Sequence, residues 1–153
     1  MHWIAVSSPA AQIREYHLLR DGKVLAVLRY NPGQNSIRIR SGSCHRLLYV
    51  HSAGTLSGRI HFHNEYGIET GQMQWDRWTG VEAHLQLGGQ EYHCELNSDA
   101  GSELTVMAPL QQYTGSCRLM SQLNSTPLPF TDHPFLLPGL CWYLSLKEQG
   151  VVA

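Results

Sequence analysis

The sequence predicts an all-β fold with one helix: an antiparallel β-barrel of about ten to twelve strands closed around a hydrophobic C-terminal helix. Three observations predict it. Short apolar runs recur every 8–12 residues or so, separated by Gly, Asn, Asp and Pro turns, which is the rhythm of a barrel or sandwich. Charged residues make up only 15% of the chain, against about 25% in an ordinary domain. The most apolar stretch, residues 132–150, comes last, after everything that reads as strand. At 153 residues the chain is long enough for a core of its own and is expected to be a single domain, 1–153.

Residues 1–13 read as a loose N-terminal arm, with Trp3 and Ile4 tucked against the body. Residues 16–19 form the first expected strand, and Asp21-Gly22 is a hairpin signal leading into 24–30. Asn31-Pro32-Gly33 turns into 36–40, where Ile37 and Ile39 alternate with Arg38 and Arg40. Strands at 46–51 and 58–63 follow, joined by a turn at Ala53-Gly54. Residues 68–75 come next, then a loop at 76–80 and a strand at 81–87. Gly88-Gly89 folds 90–96 back on it, 97–101 turns, and strands at 103–108 and 116–123 lead to an extended linker.

The final segment reads as a helix. Phe135, Leu136, Leu137, Leu140, Cys141, Trp142, Tyr143, Leu144 and Leu146 cover every side of a helical wheel, and such a helix must be buried on every side. Asp132 is the expected N-cap and Pro134 suits the first turn. Pro138 either kinks the helix or marks its start, while Lys147 and Gly150 suit its end. Phe135, Leu140, Trp142 and Leu144 are the expected structural core. The apolar run from 135 to 146 falls short of the roughly 20 residues a bilayer crossing needs, so no transmembrane span is expected.

Charge is unevenly spread. Residues 1–63 hold eight Lys/Arg against two acids, and residues 64–153 hold three against ten. The asymmetry marks either an anion-binding face or two barrel halves that complement each other. A net charge of −1 argues against nucleic acid as a partner. The first dozen residues carry no Lys, Arg or long apolar run, so they do not read as a secretory signal. Cys44, Cys94, Cys117 and Cys141 show no paired spacing and are expected as free thiols of a cytoplasmic, or membrane-peripheral, protein.

Three constellations could carry chemistry. Arg38, Arg40 and Arg46 would share one surface if the strands at 36–40 and 46–50 pair across Gly42, and forked guanidinium groups suit phosphate. His61-Phe62-His63 places two imidazoles on one face of a strand, and His93 could complete a cupin-like metal site. Against this stands the reading of His61 and His63 as outward strand residues, with Ile60 and Phe62 facing the core. Trp75 and Trp78 flank a turn and either close a barrel end or form an aromatic lip. The chain has no G-x-S-x-G, P-loop or H-E-x-x-H sequence, and no cofactor is expected.

Taken together, the strands YHLLRDGKVLAVLRY, LSGRIHFH, GIETGQMQW and VEAHLQLGGQEYHCEL, followed by PFLLPGLCWYLSLKE, resemble the tubby C-terminal-like superfamily, which includes the LURP-one-related and phospholipid-scramblase-like proteins. The resemblance lies in the pattern and runs from Tyr16 to the end of the chain. It implies a closed barrel wrapped around a buried C-terminal helix, in a binding or scaffolding module for anionic lipid. A protein partner is the other expected ligand. The chain is shorter than most members and lacks the cysteine-rich and acidic calcium-type segments of scramblases, so no site residue carries over. A non-catalytic binding module is therefore the expected function. A metal-dependent, cupin-like enzyme using His61, His63 and His93 is the alternative.

Overall fold

Eleven strands form one closed barrel. The computed structural model describes residues 1–8, 10–52, 58–76, 81–97, 101–108, 112–122 and 125–152. The strands are β1 (His2–Ala5), β2 (Arg14–Arg20), β3 (Lys23–Asn31), β4 (Ser36–Ser41), β5 (Cys44–Ser52), β6 (Arg59–His63), β7 (Glu69–Trp75), β8 (Glu82–Leu87), β9 (Gln90–Leu96), β10 (Glu103–Ala108) and β11 (Gln112–Ser121). Among the described residues the strands are followed by a 3-10 turn (Phe130–Asp132) and helix α1 (Leu136–Glu148).

Each strand from β1 to β11 pairs antiparallel with the next in sequence. A meander of this kind with an odd number of strands brings its first and last strands together pointing the same way. The closing pair, β1 with β11, is accordingly parallel, with Trp3 opposite Leu119. Closure leaves no exposed sheet edge to template aggregation.

The expectation of a loose arm therefore fails at residues 2–5. They are paired on both sides, to β2 and to β11, and Trp3 is fully buried. Four residues of mixed polarity are too few to show an alternation, so only long-range pairing identifies this strand. Of the expected turns, Ala53-Gly54 and part of 97–101 lie outside the described residues. Two hairpins follow their sequence signals. Asp21 and Gly22 take φ of 51° and 74°, and Gly88 and Gly89 take 58° and 80°. Positive φ at both central residues is what a two-residue hairpin needs to match strand twist.

Eight strands enclose an interior that side chains alone can fill, and a wider ring leaves a lumen. Helix α1 occupies it. Leu136 through Leu144 are nine consecutive buried residues, about two and a half turns, so the helix is enclosed around its whole circumference. Its 13 residues span about 20 Å, comparable with the strands around it. Leu140, Trp142, Leu144 and Phe135 are all buried, as their apolar character predicts.

One contact fixes how close the helix comes. A Cβ at Gly139 would lie 2.4 Å from Leu28 Cδ1 and 3.1 Å from Ile39 Cδ1, so the glycine lets α1 press against β3 and β4. The helix ends differ from the sequence expectation at the start and agree at the finish. Asp132 belongs to the 3-10 turn, and Phe135 takes the N-cap position without a side-chain hydrogen bond. Pro138 is the third helical residue, where its missing N–H would be unpaired anyway, so it neither kinks the helix nor starts it. At the other end Gly150 has φ of 71°, its N–H donates to Lys147 O, and the Val151 N–H donates to Leu146 O. These two bonds form a Schellman cap.

Candidate functional site

Strand alternation sorts every candidate onto the inner or the outer wall. On β4, Ile37 and Ile39 are buried while Arg38 and Arg40 are exposed. The two-residue turn at Gly42-Ser43 pairs Arg40 with His45, Ile39 with Arg46 and Arg38 with Leu47. Cross-strand partners share a face. Arg38 and Arg40 therefore stand on the outer wall, and Arg46 on the inner wall with Ile39. The expected three-arginine surface is corrected to two: the strands pair as supposed, but their register places Arg46 on the opposite face.

Arg29 is the outer-wall partner of Arg38 across β3, and Glu15 already neutralises it through a 2.7 Å bond to Nε. The same carboxylate accepts from His17 at 2.7 Å. Bonding to His17 and then to Arg29 holds the Glu15 carboxyl below its ordinary value. Arg38 and Arg40 pair with no carboxylate among the described residues. The charge asymmetry of the sequence is thus also spatial, because β1–β6 are neighbours in the barrel. The His61–Glu69 contact joins the basic strands to the acidic ones.

The proposed metal triad is corrected too. His61, His63 and His93 alternate with the buried residues Phe62, Tyr92 and Cys94, so all three project outward. However, β7 and β8 lie between β6 and β9, which puts His93 roughly 14 Å from the His61 strand. His61 Nδ1 instead meets Glu69 Oε1 at 3.1 Å, and the His63 ring packs edge-on against His51, centroids 4.7 Å apart. Among the described residues no three His, Cys, Asp or Glu side chains gather closely enough to hold a metal ion. His93 pairs with His84, to which no motif in the sequence points.

Two openings depend on long-range pairing and have no local sequence signal. A groove of about 490 Å³ runs over the β1–β11 seam, lined by Ile4, Glu103, Arg118 and Met120, with Arg118 and Glu103 3.6 Å apart. A cleft of about 170 Å³ opens where the C-terminal turns of α1 reach the β8–β9 hairpin. Arg46, Tyr92, Trp142 and Ser145 line it. Burial raises the Tyr92 hydroxyl far above its usual value. Ser145 lies beside Tyr92, but the Ser145 hydroxyl donates to the Trp142 carbonyl at 2.7 Å, and no bond of proper geometry reaches the Tyr92 oxygen.

Two of the thiols, Cys117 and Cys141, are poor candidates for chemistry. Burial pushes Cys117 up to about 12 and Cys141 well above its ordinary value, where Cys94 raises it further. A thiol that stays protonated is neither a nucleophile nor a ready metal ligand. Trp75 packs against the core, and Trp78 lies outside the described residues. No family model, no curated protein and no solved structure matches the chain.

Proposed function

We propose that this protein is a non-catalytic binding module that engages anionic head groups through the outer wall of β4. One observation carries the reading. Helix α1 fills the barrel, so there is no open lumen of the kind a cupin-like or ligand-carrying barrel uses. Recognition then falls to the outside. There Arg38 and Arg40 stand two residues apart on a rigid strand, exposed and without carboxylate partners among the described residues. A closed barrel around a C-terminal helix is also what the resemblance to the tubby C-terminal-like superfamily implies, and we propose membership on that architecture. The separation of His93 from His61 and His63 weighs against the metalloenzyme alternative.

Vesicle flotation at low salt tests the proposal. The protein should float with vesicles containing anionic lipid and not with neutral ones, and binding should fall as salt rises. Arg38→Ser with Arg40→Ser should abolish flotation, while Arg46→Met should leave it unchanged. Equal recovery with neutral and anionic vesicles would overturn the reading.

A further inference from the structure

We propose that His84 and His93 form a site for a divalent transition-metal ion on the outer wall of β8 and β9, independent of the arginine face. The two residues are direct cross-strand partners, and their ring centroids are 4.7 Å apart. The register makes them a close pair. Counting back from the two-residue turn at Gly88-Gly89, Leu87–Gln90 and Leu85–Tyr92 exchange backbone hydrogen bonds, and His84–His93 falls on a non-hydrogen-bonded rung, where side chains approach most closely. Two imidazoles on one metal, each at about 2.1 Å, have ring centroids roughly 4.5–5.2 Å apart for angles from square to tetrahedral. The observed spacing falls within that range. His84 is exposed and His93 half-buried, so ion and solvent reach both.

The neighbouring rung supplies an independent reason to place a cation here. Glu82 and Glu95 are also direct partners on the same wall. Like charges set opposite each other destabilise a sheet pair. Neither carboxylate meets Lys or Arg among the described residues. On the other side of the histidines stands the Gln86–Glu91 rung. A cation held by the imidazoles would sit between carboxylates and relieve their repulsion without their entering its inner shell, and water would complete the coordination. Two nitrogen ligands select zinc, nickel or copper(II) over magnesium and calcium, which prefer oxygen. His51 and His63 are equally close, but they are diagonal neighbours, and Glu69 beside them is engaged by His61.

The test is calorimetric titration of the full chain, purified without a histidine tag, with zinc, nickel and copper(II) chlorides. One equivalent should bind, copper(II) most tightly. His84→Asn and His93→Asn should each weaken binding at least about tenfold, the loss expected on disturbing a metal site. His51→Asn should leave it within about twofold of the parent chain on the same scale. Glu82→Gln with Glu95→Gln should raise the melting temperature of the metal-free protein and weaken metal binding, a combination that a merely structural role for the carboxylates would not give. Absence of saturable binding below millimolar metal would overturn the proposal, as would His84→Asn or His93→Asn binding like the parent. Loss of binding in His51→Asn alone would move the site to β5 and β6 and equally overturn it.

Discussion

The two ends of helix α1 close the barrel in different ways. At its N-terminal end the seal is aromatic. Phe135 stacks on Tyr30, ring centroids 4.1 Å apart, and meets Tyr16 edge-on at 5.4 Å. The Tyr16 hydroxyl and His133 Nδ1 share a hydrogen bond of 3.0 Å. At the C-terminal end the helix leaves the core beside Arg46 and Trp142, and a cleft remains there. The first end is fastened by side chains that fit one another. The second ends in a Schellman cap, whose bonds at Gly150 and Val151 stay within the helix's own last turn. One end of the buried helix is therefore sealed by aromatic side chains, and the other opens on a cleft.

The largest expected effect breaks the comparison altogether. Ending the chain after Thr131 removes the helix with both its ends and empties a lumen lined by residues such as Leu28, Ile39, Leu48 and Leu104. That variant should show no cooperative thermal transition, whereas a melt within a few degrees of the full chain would refute a structural role for the helix. Trp142→Ala removes the apolar anchor of the open end alone. It should cost about 3–5 kcal/mol, a large part of the roughly 5–15 kcal/mol available to a domain, and leave a weakened but cooperative transition by denaturant unfolding.

A smaller effect tests the middle of the helix. Gly139→Ala forces a methyl group into Leu28 and Ile39 and should destabilise the protein by about 1–3 kcal/mol. Leu28→Val in the same chain should recover part of that loss, because the two changes share one contact. If they prove additive, the close approach of α1 to β3 is not what positions the helix.

The smallest effect distinguishes the ends by pH. Burial lowers the His133 pKa below its ordinary 6.5, and the nearby Asp132 only partly offsets this. The unfolded chain therefore binds the proton more readily than the folded one. The stability contributed by neutral His133 is complete above about pH 6.5 and is lost as pH falls toward and through the lower folded value. His133→Gln should flatten the decline in unfolding free energy between pH 7 and 5 relative to the parent chain. Arg46→Met, at the open end, should leave the decline unchanged.

How legible all this was in the sequence depended on the range of the interactions involved. The alternation of Ile37, Arg38, Ile39 and Arg40 and the glycine pair at 88–89 are local, and the structure follows them. The buried helix was legible because apolar groups on all sides leave one solution. Arg46 was misplaced although its signal was present. A two-residue turn fixes the register, and that register sets Arg46 opposite Ile39. The His84–His93 pair could be read in the same way from Gly88-Gly89, whereas His61 and His63 drew attention by adjacency alone. Strand β1, the seam groove and the role of Gly139 had no local signal, since each is defined by a partner far away in sequence.

The parallel seam between β1 and β11 has a consequence for how the chain is made. Trp3 and Leu119 are partners separated by more than a hundred residues, so closure of the sheet must wait for β11 and carries a large loop-entropy cost, and the helix that fills the barrel comes later still in the chain. Until β11 is synthesised, the strands already formed present an open edge and an unfilled concave face, and that intermediate is the aggregation-prone species of this fold. Slowing elongation upstream of β11 should lengthen its lifetime, and chaperone demand during synthesis should rise with it. The finished barrel has no edge left to protect.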